Sequence, residues 1–366
     1  FNTSHKQQAS FLNLDYSNKA SQILGKLNGN NHNIYLVNPS GVLIGQGASI
    51  NANKFVASNT IDENTLNQFK NKVNDSTAIT SFSPVYKPNK GNVVNLGHIK
   101  AKEGITLIGN TVDIRGGKLE NTAGGTNKNN SIYFVGENIY IDADATSLSS
   151  NNNVYATAFS EGYIQRQMKN FQKDNFQFGN FNNLITNEKY DYQTQGNLQG
   201  SSNNFKKAIT LGNMGDSKAN VAEWSYFADF INGVKTGSTK PSDIDEYRLV
   251  GDIDFGGINY ADYNGSSLIV GKDSTNAFTS SFNGNGYKLS NIDIEMTQYQ
   301  GYIGVFGNAK NATISNLGVE NIDIDLKTQS NTTYKAGSLL GYASDVKISD
   351  IFVKNVSVQV SSANNH

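Results

Sequence analysis

The sequence predicts an all-β chain: a right-handed parallel β-helix, or solenoid, with extra-helical loops and one or two short helices. Three observations predict it. Apolar residues come in short alternating runs bounded by Gly, Asn and Asp, as in GITLIGNTVDIRGG at 104–117 and SIYFVGENIYIDAD at 131–144, which is the pattern of brief strands with one face inward. Hydrophobic residues make up only 37% of the 366-residue chain and mean hydropathy is −0.47. A compact globule of that size would be short of core, whereas each rung of a solenoid needs only a few inward Val, Ile or Leu. One phrase also repeats. Leu289-Ser290-Asn291-Ile292 returns as Ile314-Ser315-Asn316-Leu317 after 25 residues and as Ile348-Ser349-Asp350-Ile351 after 34 more, within the spacing range of solenoid repeats. A β-sandwich also has short strands, but recurrent Asn-x-Gly turns favour stacked rungs. Disorder is disfavoured by 18 Tyr, 19 Phe and the β-branched runs.

Charge and composition exclude several classes. Net charge is −1, so no global basic field draws nucleic acid or anionic lipid. The absence of cysteine removes disulfides, thiolate metal sites and cysteine nucleophiles. No apolar run reaches the ~18 residues of a membrane-spanning helix. No signal peptide is visible ahead of Phe1-Asn2-Thr3, so the chain is read as mature or trimmed.

Taken in order, the chain is organised around 33–59. Ile34, Leu36 and Val37 approach a break at Asn38-Pro39-Ser40-Gly41, Val42 and Ile44 resume a strand, and Gly45 and Gly47 break it again. Proline fixes φ and lacks a donor, and glycine accepts φ > 0, so a turn is required. Residues 61–75 place Leu66, Phe69 and Val73 on one helical face, with Asp62 as cap. Short strands return over 91–145. Residues 146–216 are rich in Asn, Gln, Tyr and Phe, with a candidate helix over 161–173 carrying Ile164, Met168 and Phe171 on one side. The plainer reading of this stretch is an excursion or linker. The sharper one is a ligand surface for sugars or proteins built from Tyr163, Phe171, Phe176, Phe178, Tyr190 and Tyr192. Residues 217–366 form a further unit, where Asn220 and Glu223 suggest a capping box for a helix ended by Gly233.

Two stretches carry a resemblance. Asn38, Pro39, Gly41, Val42, Gly45, Ala48, Phe55, Ala57, Ser58 and Asn59 match the ordered motif N-P-N-G-[IV], G-x-x-A, F-x-A-S-[TN], with Ser40 in place of the second Asn. Upstream, Ser21, Ile23, Gly25 and Leu27 fit its approach. Residues 1–145 thereby resemble the secretion domain of the filamentous-haemagglutinin and high-molecular-weight adhesin family, the exported partner of bacterial two-partner secretion. The phrase FNGNGYKLSNI at 282–292 and the later repeats are similar to GLUG-type repeats of bacterial surface proteins. The resemblance implies a β-helix, and with the change of composition at 146–216 the expected domains are 1–145, 146–216 and 217–366. It implies export by an outer-membrane transporter, which recognises or needs the turn formed by Asn38, Pro39, Ser40, Gly41 and Gly45. It also implies a secreted or surface location and attachment to a host glycan or protein.

The search for chemistry points away from catalysis. His5, His32, His98 and His366 make no zincin pair. Acid pairs Asp142/Asp144, Asp252/Asp254, Asp293/Glu295 and Asp323/Asp325 share strand faces, as in some polysaccharide-degrading β-helices. The simpler reading is an outward, solvated row alternating with buried Ile and Phe. Only Arg115, Arg166 and Arg248 are present, too few for a lyase groove. No G-x-S-x-G or phosphate loop occurs. The expectation is therefore a monomeric, non-enzymatic adhesin segment without cofactor, metal or nucleic-acid partner. A polysaccharide-binding or polysaccharide-degrading β-helix, or the stalk of a toxin exoprotein, is the alternative.

Overall fold

The computed structural model describes residues 8–71, 89–125, 130–172, 178, 181, 184–186, 205–234, 244–296, 301–328 and 333–362. The chain divides into two compact units, Phe1–Gln165 with Phe178–Lys206, and Arg166–Gln177 with Lys207–His366. Strands Thr146–Ser150 and Val154–Gln167 continue the stacking past residue 145.

The first unit is a parallel β-helix of three strand rows. One row stacks Ser10–Leu14 on Asn33–Val37, then on 54–58, 104–108, 132–136 and 154–158. The second stacks Ser21–Ile23 on Val42–Ile44, Val93–Asn95, 112–114, 139–141 and 162–164. The third runs from Lys26–Asn28 through 49–51 and 98–100 to Gly117–Asn121 and Thr146–Ser150. Period-two alternation sets which side chains enter. Phe55, Ile105 and Ile132 form one inward column, and Ala57, Leu107 and Phe134 the next, all fully buried. Each large apolar side chain so buried contributes about 1.5–3 kcal/mol, and it is buried only when a neighbouring rung is present.

Part of the outward face is covered too. Tyr35, Val56, Ile108 and Val135 point away from the interior yet are buried. Helix α1, Glu63–Asn71, sets Phe69 edge-on to the Tyr35 ring at 5.3 Å. Asp62 caps it as expected, accepting from Thr65 N at 2.8 Å. Val73 lies outside the described residues.

The second unit repeats the design. Residues 208–211, Glu246–Leu249, Ser281–Asn283, 313–315 and 347–349 make one parallel row. Ile253–Asp254, Lys288–Met296, 318–326 and 352–360 make another. Helix α2, Ser217–Ile231, is part of the core. Its Trp224 meets Phe255, Phe282 and Phe306 edge-on at 5.8, 5.8 and 6.4 Å, and donates from Nε1 to Leu268 O at 3.0 Å.

Three expectations are corrected here. The helix starts a turn earlier than the Asn220–Glu223 box implies: Asp216 is the cap, accepting from Ala219 N at 2.8 Å. Asn220 instead accepts from Met214 N, and buried Glu223 accepts from Gly212 N at 2.9 Å, its carboxyl pushed up by burial. Among the described residues 161–172 there is no α-helix. The strand continues to Gln167 and gives way to a 3-10 turn, Met168–Gln172. The repeated phrase is in register only between its second and third copies, with Ile314 opposite Ile348. Leu289 pairs with Val319, and Ile314 with Phe282. The first copy shares the words of the second but occupies a different strand row.

The aromatic cluster gives a direct test. Trp224→Ala removes the side chain on which the rings of Phe227, Phe255, Phe282 and Phe306 converge, and is expected to cost about 3–5 kcal/mol in urea unfolding followed by near-ultraviolet circular dichroism.

Candidate functional site

The turn at 38–41 is assembled from three consecutive rungs. Asn38 is fully buried. Its Nδ2 donates to Lys19 O at 2.9 Å, Ser21 Oγ at 2.9 Å and Asp15 Oδ2 at 3.1 Å. Its Oδ1 accepts from Ser40 N at 2.8 Å, and its own N donates to Ser58 O at 3.0 Å. Gly41 N donates back to Asn38 O at 2.9 Å and closes the turn. One amide side chain therefore holds the preceding rung through three acceptors, while the Asx turn orders its own backbone.

Pro39 and Ser40 are half-buried, and Ser40 Oγ donates to Ser17 O at 2.9 Å. Gly41 has φ +108°, and a Cβ there would sit 2.5 Å from Asn92 O. The following rung presses so closely that its Gly91 N donates to Pro39 O at 2.7 Å. Gly45 is buried, donates to Ile23 O at 2.8 Å and has Leu24 Cδ2 where a Cβ would go, at 2.8 Å. The motif residues are thus brought together, but as a locked interior corner. Asn38, Gly41 and Gly45 present no side-chain surface to a partner.

Asp15 is the residue that sequence reasoning missed. Hydrogen bonds from the Ser17 hydroxyl and backbone, then from Ser21, hold its carboxyl below the usual range. A signal was present: Ser10, Ser17 and Asn28 bond to Asn33, Ser40 and Asn51, each 23 residues on, as Asp15 does to Asn38. Beside the turn, an open groove of about 890 Å³ is lined by Phe11, Leu14, Asp15, Tyr16, Ile23 and Leu27 among others. Tyr16 and Leu24 on this side are 65% and 63% exposed.

Of the six residues of the expected aromatic surface, the side chains of Tyr163 and Phe178 are described. Tyr163 and Phe178 are each 2% exposed. Tyr163 points outward from its rung but is stacked against Tyr140 at 6.1 Å, with Lys206 Nζ 5.9 Å from its ring centre. Covered outward positions of this kind are not visible in a strand period. Phe176, Tyr190, Tyr192 and the Phe171 side chain lie outside the described residues.

The acid pairs do not form one site. Asp293 and Asp323 stack in register, as do Glu295 and Asp325, alternating with buried Ile292, Ile294, Ile322 and Ile324. Asp142 and Asp254 are turn acceptors for Asp144 N and Gly256 N. Among the described residues no group of three or more His, Asp or Glu is placed to hold a metal ion.

Against known proteins, the chain is 34% identical over 157 residues to a heme/hemopexin-binding protein of Haemophilus influenzae. The match covers 40% of this chain and 16% of that protein, so the chain spans well under two thirds of the relative's length. No family model matches, and no solved structure matches.

Two measurements probe the corner. Asn38→Ala removes a fully buried amide and its bonds to three partly exposed acceptors, and is expected to cost about 1–3 kcal/mol in denaturant unfolding. The lowered Asp15 pKa stabilises the fold above the ordinary carboxylate range, and that contribution is lost as pH falls through the lowered value. Asp15→Asn is therefore expected to flatten the loss of stability between about pH 5 and pH 2, read as the urea midpoint against pH.

Proposed function

We propose that this chain is part of a large secreted bacterial surface protein, exported through the outer membrane by a partner transporter, with the Asn38 corner as the folding key of its export segment. The observation that carries this reading is the Asn38 amide, which joins the motif turn to Asp15, Lys19 and Ser21 of the rung before it. A chain that crosses a membrane unfolded must start folding from its first rungs, and a solenoid propagates from neighbour to neighbour. The similarity to a Haemophilus influenzae protein supports a bacterial exoprotein. Attachment to host cells or surfaces, through a glycan or protein, is the finer part of the proposal. The protein acts without catalysis, as a monomer, at the cell surface.

Because the motif is interior, the transporter meets the rim instead: Tyr16, Leu24, Pro39 and Ser40. Export in the presence of the transporter separates the two roles. Asn38→Ala and Gly41→Val are expected to lower both stability and export. A Tyr16→Ser, Leu24→Ser double variant is expected to keep its unfolding free energy within about 0.5 kcal/mol while export falls. Normal export of Asn38→Ala would overturn the assignment.

The relative's name concerns heme and hemopexin. For the two described histidines, His32 and His98, heme ligation is not carried over, for a chemical reason. His32 Nδ1 accepts from Ala9 N at 2.9 Å and His98 Nδ1 from Lys118 N at 3.0 Å. Each neutral ring then carries its proton on Nε2, where iron would need a lone pair. Hemin added to the purified chain is expected to leave the Soret band of free hemin unshifted.

A further inference from the structure

The outward face of the third strand row in the first unit is sorted by charge. One outward column carries Lys26, His98 and Lys118, with Ser49 and Ser147 in the same line. The next carries Lys100 and Glu120, with Asn51 and Ser149. Between them the inward side chains Ile50, Ile99, Leu119 and Leu148 are 0–4% exposed. Lys26, Lys100 and Lys118 are exposed, and exposed Lys102 continues the alternation beyond Lys100. Among the described residues the face carries one carboxylate, Glu120, which Lys118 Nζ engages at 2.6 Å. Among them, too, no ion pair takes up Lys26, Lys100 or Lys102.

The acids of the same rungs are placed elsewhere. Asp113 lies on the second strand row, where Arg115 Nε bonds it at 2.7 Å. Asp142 is a turn acceptor after that row, and Glu103 accepts from Asn53 Nδ2 at 2.9 Å. A whole-chain charge of −1 therefore conceals a face of lysines. They also spread in two directions. Rungs stack about 4.8 Å apart and alternate residues of a strand lie about 6.6 Å apart. Lys26 and Lys118, three rungs apart, are thus separated by about 14 Å along the solenoid, with Lys100 and Lys102 beside that line. Their neighbours Ser49, Asn51, Ser147 and Ser149 are too short to wall a groove.

We propose that this face is a docking surface for a plane of phosphates, and that its occupant is the phosphate-bearing glycolipid of a bacterial outer leaflet. Lysine is a compact point charge on a flexible stem, suited to scattered phosphates rather than to one planar, bidentate partner. A flat array of such charges meets a charged plane at several points at once, whereas a single linear polyanion follows one line and leaves the lysines beside it unused. Each lysine brought within a Debye length of the phosphates adds attraction, and salt removes it. Docked in this way, the first unit lies with its axis along the membrane surface. The inference rests on the cell-surface location proposed above, and it uses neither the Asn38 corner nor the transporter.

The test is co-sedimentation of the full chain with phosphatidylcholine vesicles doped with bisphosphorylated lipid A. The doped vesicles are expected to pellet the chain at low salt, with binding about tenfold weaker when ionic strength is raised from about 0.05 M to 0.5 M. Lys100→Glu with Lys118→Glu is expected to weaken binding about tenfold at an unchanged urea midpoint. Lys310→Glu with Lys347→Glu, the same change of net charge on the second unit, is expected to stay within about twofold of the parent. No pelleting at low salt would overturn the proposal. So would equal pelleting by phosphatidylcholine alone, equal losses in the two double variants, or tighter binding to soluble dextran sulfate than to the doped vesicles. The assay contains no transporter, so its failure leaves the export reading standing.

Discussion

Parallel rungs impose a demand at every corner: the chain must bend sharply while leaving its amides free to pair above and below. Here the bend is made in the left-handed region, and every non-glycine residue with positive φ among the described residues is Asn or Asp. These residues tolerate that region because their short side chains bond locally. In a stack they do more. Asn291 donates to Asp254, Asn321 to Asn291 and Asn355 to Asn321, so the residue that allows the bend also bonds it to the next bend. Where rungs close in further, only glycine fits. A Cβ at Gly307 would lie 2.8 Å from Gly271 O, and one at Gly341 2.8 Å from Gly307 O.

Asn38 is this principle carried inward. Its backbone is not left-handed, and Gly41 takes the positive φ instead. Its amide is released to reach the rung before it, where one of the three acceptors is the Asp15 carboxylate. A hydrogen bond to a charged acceptor is stronger than one to a neutral partner. Loss of Asp15 leaves the buried Asn38 amide short of one partner, which couples the two residues. Its position in the interior also separates what the motif does from what a partner touches.

Much of this was legible. The β-helix followed from short alternating runs and thin hydrophobicity, and the turn from Pro39 and Gly41. Helix α1 and its Asp62 cap followed from spacing. What escaped was set by tertiary covering. Ile164, Met168 and Phe171 have a helical spacing, yet the first sits on a strand and the second begins a 3-10 turn. Tyr163 and Phe178 looked like surface because an outward or loop position is ordinarily wet, and both are covered. The phrase shared by 289–292 and 314–317 misled because the same corner chemistry serves any row of the solenoid. Asp15 was hidden because its partner is 23 residues away and its role appears only once two rungs are laid side by side.

The partners of the Asn38 corner are ordered along the chain. Lys19, Ser21 and Asp15 come before it, while Gly91 and Asn92, which seal its other side, come some fifty residues later, across helix α1. For a polypeptide that appears from one end, the corner is a two-stage clasp. The near side closes when the turn itself arrives, over a short loop of low entropic cost. The far side is begun by Ser58, which accepts from Asn38 N, and is completed only by the rung at 91–95, beyond α1. The distance between the two sides sets a built-in delay: a second chance for a badly aligned first rung to reopen before it is sealed.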